Sequence, residues 1–438
     1  MMTTFLQHPT LYRRSLLMFA IALIALIVAI GFRFIRPTAP VATPPKPISQ
    51  GDEEWIAQME RRLRADPDDA NAYAQLGLGL LQQVREQGDV NLYGRAGKAF
   101  AAALQRDPQQ VDALMGQGIL ALALHDFHGA LDWAEQTWAI NPFRAAILGI
   151  QVDAQVELGQ YAEAVATLQQ MIDLRPDLHS YSRVSYLREL HGDVEGAIEA
   201  MQQAINSTSP GSEDWRWTLT HLGHLHFNRG ALDEAAAIYQ EVLAQQADYP
   251  YALAGLARVV TAEGDSAAAI AQYQAIVERL PLPEFVIALG ELYEATGDLT
   301  AAQAQYDLVA IMQQLNVAAG MNVDLEMALF NASHGQDPAK VVTEARAAYA
   351  ARPTIYAADA LAWALYQAGD YDEAWSYSQE SRRLGTQDAM LYFHAGMIAQ
   401  QRGEVEMAHT LLQQALSINP YFSPLYGAVA QQQLVNSH

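Results

Sequence analysis

The chain has 438 residues, 51% of them hydrophobic and 17% charged, with a formal net charge of −23. It contains no cysteine, which excludes disulfides, thiolate nucleophiles and cysteine-held zinc or iron–sulfur centres. So acidic a surface, with only Lys46, Lys98 and Lys340 as lysines, repels nucleic-acid phosphates and favours basic or neutral protein partners.

Residues 15–32, SLLMFAIALIALIVAIGF, carry no charge. At ~1.5 Å rise per residue such a helix matches the hydrocarbon thickness of a bilayer, and Arg13, Arg14, Arg33 and Arg36 bracket it. A cleaved signal peptide would have a shorter apolar run and small neutral residues where Arg33 and Arg36 stand. The sequence therefore predicts a tail over 1–14, one transmembrane helix over 15–35 and a proline-rich spacer over 36–52. Basic residues lie on both sides of the span. The basic-then-apolar start reads as a signal anchor, which places the large domain outside the cytoplasm in a single-pass cell-membrane protein.

From residue 53 the chain is periodic. A small residue opens every second helix, as at Ala96, Ala130, Ala164, Ala197, Ala235, Ala269, Ala302, Ala374 and Ala408, with Val341 in the one remaining place. Five residues earlier (six for Gly335 before Val341) stands a turn glycine (Gly159, Gly192, Gly230, Gly264, Gly297, Gly335, Gly369, Gly403), suited to positive φ. Prolines such as Pro67, Pro142, Pro353 and Pro420 close many units. The first helix of a unit carries a Leu-Gly pair, as at Leu222/Gly223 and Leu289/Gly290. This small residue is expected to face the alanine of the second helix and bring the axes together, with Tyr239, Tyr273 and Tyr306 filling the space beyond. His125 replaces the turn glycine of the second unit, and extra residues fall near 87–96, 207–213 and 316–320.

The recurring Leu-Gly, Tyr, Ala and Pro marks at a 34-residue period resemble the tetratricopeptide repeat family. The resemblance covers residues 66–420 in ten units. It implies an all-α, right-handed α-solenoid over 53–420, preceded by the one transmembrane helix. EEWIAQMERRLRA (53–65) reads as an N-terminal cap, and residues 421–438 as a C-terminal capping helix, Ser423–Leu434.

Catalytic signatures are missing: no GxxxxGK[ST], HExxH, GxSxG or strand-borne GxGxxG. The chain reads as a non-enzyme with no cofactor. His221 and His224 in HLGHLH stand one turn apart, as two metal ligands would, but no acid completes the spacing. By resemblance, the inner face of the superhelix is lined by the first helix of each unit, with the second, fifth, ninth, twelfth and thirteenth positions exposed. These map to a candidate partner groove of Trp217, His224, Phe227, Tyr251, Arg258, Glu291, Tyr356, Asp359, Trp363, Tyr366 and Phe393. Acids on the same face include Asp112, Asp153, Glu157, Glu189 and Glu284, with Arg258 as the clear base. The expected function is a membrane-anchored scaffold or assembly factor that holds a protein or peptide segment, apolar or basic, with no nucleic acid. One alternative is a cytochrome c maturation-type chaperone, which residues 53–81 resemble. Another is a metal-dependent enzyme using His221 and His224.

Overall fold

A computed structural model of the chain describes residues 52–335 and 337–436. The expected tail, membrane span and nearly all of the spacer lie outside the described residues. Among those described, regular structure is entirely helical, in 22 helices, and no helix is long and apolar enough to cross a membrane.

The N-terminal helix α1 (Asp52–Ala65) packs on the first of ten helix pairs. The pairs are α2 (Ala70–Gln87) with α3 (Leu92–Arg106), α4 (Val111–Ala123) with α5 (Phe127–Ile140), α6 (Ala145–Glu157) with α7 (Tyr161–Leu174), α8 (Leu178–Leu190) with α9 (Val194–Asn206), and α10 (Glu213–Asn228) with α11 (Leu232–Gln245). They continue with α12 (Pro250–Ala262) and α13 (Ser266–Arg279), α14 (Pro283–Ala295) and α15 (Leu299–Ala318), α16 (Asp324–His334) and α17 (Pro338–Ala351), α18 (Ile355–Ala368) and α19 (Tyr371–Ser381), and α20 (Ala389–Gln401) and α21 (Val405–Ile418). A last helix, α22 (Gly427–Asn436), starts four residues later than expected, because the Ser423 hydroxyl accepts from the amides of Leu425 and Tyr426 and holds a turn there.

Local sequence explains the pairing. Gly192, Gly264, Gly297 and Gly369 take left-handed backbone, and the aspartate that follows each accepts an amide at the start of the second helix. Gly335 is the exception, with φ −73°, and ends α16 in extended backbone.

The packing inside a unit differs from the expectation in one respect. The Leu-Gly glycine faces a ring of the second helix, not its alanine. A Cβ on Gly223 would meet the Tyr239 ring at 2.5 Å, and one on Gly255 of the next unit would meet the other side of that ring at 2.5 Å. Phe100 lies in the same way between Gly77 and Gly116. Two glycines from successive units thus form a slot for one fully buried ring, which couples neighbours more tightly than an alanine contact would.

Residues 52–436 do not form an open ribbon. The array turns back on itself after six units, so the helix–helix turn of each early unit rests against the loop preceding the unit six places on. The contacts join residues 192 to 197 positions apart. The Asn322 amide donates to the Leu124 carbonyl at 2.9 Å, and His125 Nδ1 reaches the Asn322 carbonyl at 2.8 Å. Arg352 pairs with the Glu157 carboxylate and with Glu326 at 3.3 Å. The Ile355 amide donates to the Tyr161 hydroxyl at 3.0 Å, the Thr386 hydroxyl to the Leu190 carbonyl, and the Asn419 side-chain amide to the Phe227 carbonyl at 3.0 Å. The turn glycines serve this seam as well as their own φ. A Cβ on Gly159 would lie 2.5 Å from the Pro353 carbonyl oxygen, and one on Gly192 would lie 2.4 Å from that of Gly385.

His125 is the departure that the seam accounts for. It holds φ 59°, a conformation that a non-glycine residue adopts at a cost. In return its ring stacks on Phe127 and meets Glu326 at 3.4 Å, while the Arg352 guanidinium covers the Phe127 face. Burial alone would lower the His125 pKa, but the hydrogen bond and charge of Glu326 outweigh it and the net shift is upward. A histidine whose folded pKa is raised adds stability that is complete below its unfolded pKa and is lost as pH rises through the folded value. Raising the pH from about 6 to about 8 is therefore expected to lower the melting temperature more in the native chain than in His125→Asn, which tolerates the same φ but cannot ionise. Parallel melting curves check this, and equal pH slopes would contradict it.

The extra residues near 316–320 lengthen α15 to twenty residues. α15 meets α16 through the Tyr306 ring, which packs on Phe330 and His334, and runs on beyond that contact. Ile311, Leu315 and Val317 are consequently exposed. The insertion forms a lip.

Candidate functional site

The first helices of the units face inward, and six units per turn leave a narrow interior. In the C-terminal turn side chains fill it. His334 of α16 lies between Glu291 (3.5 Å) and Glu294 (3.8 Å) of α14 and stacks on Tyr306 and Phe330. Trp363 is sandwiched between Tyr366 (4.5 Å, 6°) and His394 (4.1 Å, 15°), with the Tyr426 ring edge-on at 6.0 Å. Tyr426 also stacks on Phe393 at 5.0 Å. His394 Nδ1 and Asp359 Oδ2 stand 2.9 Å apart inside this aromatic block.

The eleven candidate groove residues divide accordingly. Phe227, Asp359, Trp363 and Phe393 are at most 5% exposed and show no surface to a partner in this conformation. Asp359, Trp363 and Phe393 are covered within the aromatic block around His394 and Tyr426, and Phe227 lies under the Arg258 guanidinium of the next unit. Tyr366 is half-buried against Trp363, and Glu291 is engaged with His334. On units five and six, Trp217 is 40% exposed and stacks on His221 at 3.8 Å. His224 Nδ1 is 2.7 Å from the Tyr239 hydroxyl, and burial holds its pKa well below the ordinary histidine value. Tyr251 packs beside Tyr249 and Phe285, and the Arg258 guanidinium lies 4.0 Å over the Phe227 ring and 3.3 Å from Asn228 Oδ1. His221 Nδ1 is 2.9 Å from the Trp217 carbonyl. Among the described residues no group of three His, Cys, Asp or Glu side chains is placed to hold a metal ion.

The charge balance of the inner face needs correction. Arg258 is not its one clear base. Arg144 pairs with Asp112 at 2.5 Å, Arg183 grips both oxygens of Asp153 at 2.8 and 2.5 Å, and Arg352 holds Glu157 and Glu326. These arginines lie at unit junctions, 26 to 195 residues from the acids they meet, so single-unit periodicity does not reveal the pairs.

Tyr356 lies apart from the aromatic block, in a cleft of about 180 Å³ on the seam, walled by Glu157, Tyr161, Tyr186, Glu326 and Arg352 among others. A second cavity of about 130 Å³ shares Val156, Glu157 and Tyr186 and extends towards Asp153 and Arg183. Tyr186 is 41% exposed and faces this space. Sequence reading passed over Tyr186 and Arg352. The anomalous His125, which contacts Glu326 across the seam, was the available clue.

Residues 81–145, 151–213 and 220–284 match the family model described as tetratricopeptide repeat. These segments are tetratricopeptide repeats. The chain is 28% identical over 207 residues to human tetratricopeptide repeat protein 13, a match covering 44% of this chain and 22% of that protein. It is 25% identical over 255 residues to the Protein CTR9 homolog of Arabidopsis thaliana, covering 55% of this chain and 23% of that protein. Both matches span less than a quarter of the relative's length. Among solved structures, a thermophilic TPR protein of Thermus thermophilus is 22% identical, covers 44% of this chain and 98% of its own, and superposes with a TM-score of 0.38. The tetratricopeptide units give a scaffold suited to protein interaction, and this chain shapes them into a closed turn.

Proposed function

We propose that the protein is a membrane-anchored scaffold or assembly factor, tethered by residues 15–35, whose repeats hold an apolar or basic segment of a protein partner outside the cytoplasm. One observation carries the reading. The inner face keeps aromatic side chains exposed at Trp217 and Tyr186, while Arg144, Arg183 and Arg352 are committed to carboxylates. Exposed aromatics in a concave site are the usual anchors of a bound peptide. With those three arginines neutralised and a formal charge of −23, the chain offers little to a phosphate backbone. Tethering raises the local concentration of scaffold and partner, so modest contacts suffice. A cytochrome c maturation-type role is the case in which the held segment belongs to an apo-protein. It rests on the resemblance of residues 53–81.

Crosslinking in the native membrane, with mass spectrometry of what is captured, tests the reading. A protein partner linked to the inner face is the expected result, and an apocytochrome among the products selects the narrower role. Trp217→Ala is expected to reduce capture at least several-fold while leaving helical circular dichroism unchanged, because its side chain is half free already. Undiminished capture, or capture of nothing, contradicts the proposal.

A further inference from the structure

We infer that the chain binds a second copy of itself end to end. The loops before units three and four of one copy pack on the turn edge of units seven to ten of another, repeating between chains the contact that closes the array within one.

The seam uses one edge of each half of the array. It joins the helix–helix turns of early units to the loops that precede later ones. The turns of the last units and the loops of the first have no further turn of the same chain to meet. Both of these edges nevertheless carry the residues that the seam uses.

On the turn side, the first residue of the second helix makes the contact. Phe127 opens α5 and Tyr161 opens α7, and both are buried at the seam. The Arg352 guanidinium lies 4.5 Å over the Phe127 ring, and the Tyr161 hydroxyl accepts the Ile355 amide at 3.0 Å. Leu299 opens α15 and Val405 opens α21 in the same way, but they are 66% and 48% exposed. Among the described residues, a Cβ on the adjoining turn glycines Gly297 and Gly403 would meet open space, where one on Gly159 or Gly192 meets a seam carbonyl.

On the loop side, the contact is the residue that ends the second helix ahead of a proline. Arg352 and Asn419 hold this place, are buried, and reach across the seam, Arg352 to Glu157 and the Asn419 side-chain amide to the Phe227 carbonyl at 3.0 Å. Arg175 and Asn141 hold it in units three and two. The Asn141 side chain is arranged as that of Asn419 is. Its oxygen accepts the Phe143 amide at 3.2 Å, as the Asn419 oxygen accepts that of Tyr421 at 2.8 Å. Its NH2 group has no acceptor among the described residues, and Arg175 there meets only its neighbour Asp177, at 2.9 Å. Beside them Phe143 is 84% exposed, more than any other large apolar side chain described.

A second copy supplies the matching half of each edge. Stacking removes Phe143, Leu299 and Val405 from water and gives the idle donors of Asn141 and Arg175 the carbonyls and carboxylates of a turn edge that holds Asp298 and Asp370. The two edges differ, so the contact is heterologous, and a third copy adds to the second as the second does to the first.

Native mass spectrometry and sedimentation velocity of the full chain in detergent test this. The native chain is expected to form a series of oligomers that lengthens with concentration. Phe143→Glu disables the loop edge and Leu299→Glu the turn edge. Neither residue takes part in the seam, so both variants are expected to keep the native circular dichroism. Each alone is expected to remain monomeric. An equimolar mixture is expected to give a dimer with one copy of each variant and nothing larger, because the intact edge of one fits the intact edge of the other. A native chain that stays monomeric at every concentration overturns the inference. So does association that both variants retain, or folded variants that fail to pair when mixed.

Discussion

Trp363→Ala is expected to destabilise the C-terminal units by about 3–5 kcal/mol, the cost of emptying a well-packed aromatic site. Trp363 is 3% exposed, and its ring touches Tyr366, His394, Phe393 and Tyr426. The cavity would sit beside the Asp359–His394 pair, so the surrounding rings can collapse only by moving a buried polar contact. Denaturant unfolding followed by circular dichroism measures the loss. A change below about 1 kcal/mol with weakened partner capture would return Trp363 to the binding surface, because an exposed anchor costs affinity and not fold. The contrast with Trp217 is the point of the experiment. Both tryptophans occupy inward positions of the repeat, yet Trp217 is 40% exposed and Trp363 is enclosed.

Arg352→Ala is expected to cost about 2–3 kcal/mol and to loosen two regions distant in sequence. The guanidinium is 8% exposed, pairs with Glu157 and Glu326 and covers Phe127. The two glutamates are each more than a third exposed and can be rehydrated, which keeps the loss below that of a fully buried pair. The pattern matters more than the size. In an open solenoid each repeat contacts only its neighbours, and a defect stays local. Here the seam joins unit three to the loop before unit nine, so amide hydrogen exchange is expected to rise around Glu157–Tyr161 and around Arg352–Tyr356 together. Faster exchange confined to residues near 352 would show that the two turns are energetically independent.

Much of the architecture was legible because its signals are local. The turn glycines at 192, 264, 297 and 369 encode a left-handed turn between the helices of a unit, and it occurs where the sequence places it. The partner of the Leu-Gly glycine was not: it is a ring of the second helix and not the expected alanine. Gly255 shares the Tyr239 ring with Gly223, and that contact crosses from one unit to the next. Closure of the array was not legible, since no periodicity within 34 residues specifies a bond between Tyr161 and Ile355. Its trace was a single irregularity, a histidine at 125 where a glycine was due. The groove assignment inherited that gap. Position within a unit does not say which side chains a neighbouring unit covers: on one helix Trp217 stays exposed while Phe227 lies buried under the Arg258 guanidinium of the next unit.

The closed turn is the claim on which the cleft, the buried aromatics and the paired arginines all depend. The absence of native cysteine permits a direct test. His125→Cys and Asn322→Cys together place one thiol on each side of the seam, on two residues whose side-chain ring nitrogen (His125) and backbone carbonyl oxygen (Asn322) now lie 2.8 Å apart. Treatment of the folded chain with the shortest bismaleimide, followed by mass spectrometry, should give an intramolecular link between positions 125 and 322 that disappears when the chain is unfolded first. A folded, helical double variant in which both thiols react singly and never with each other would show that the two turns do not meet.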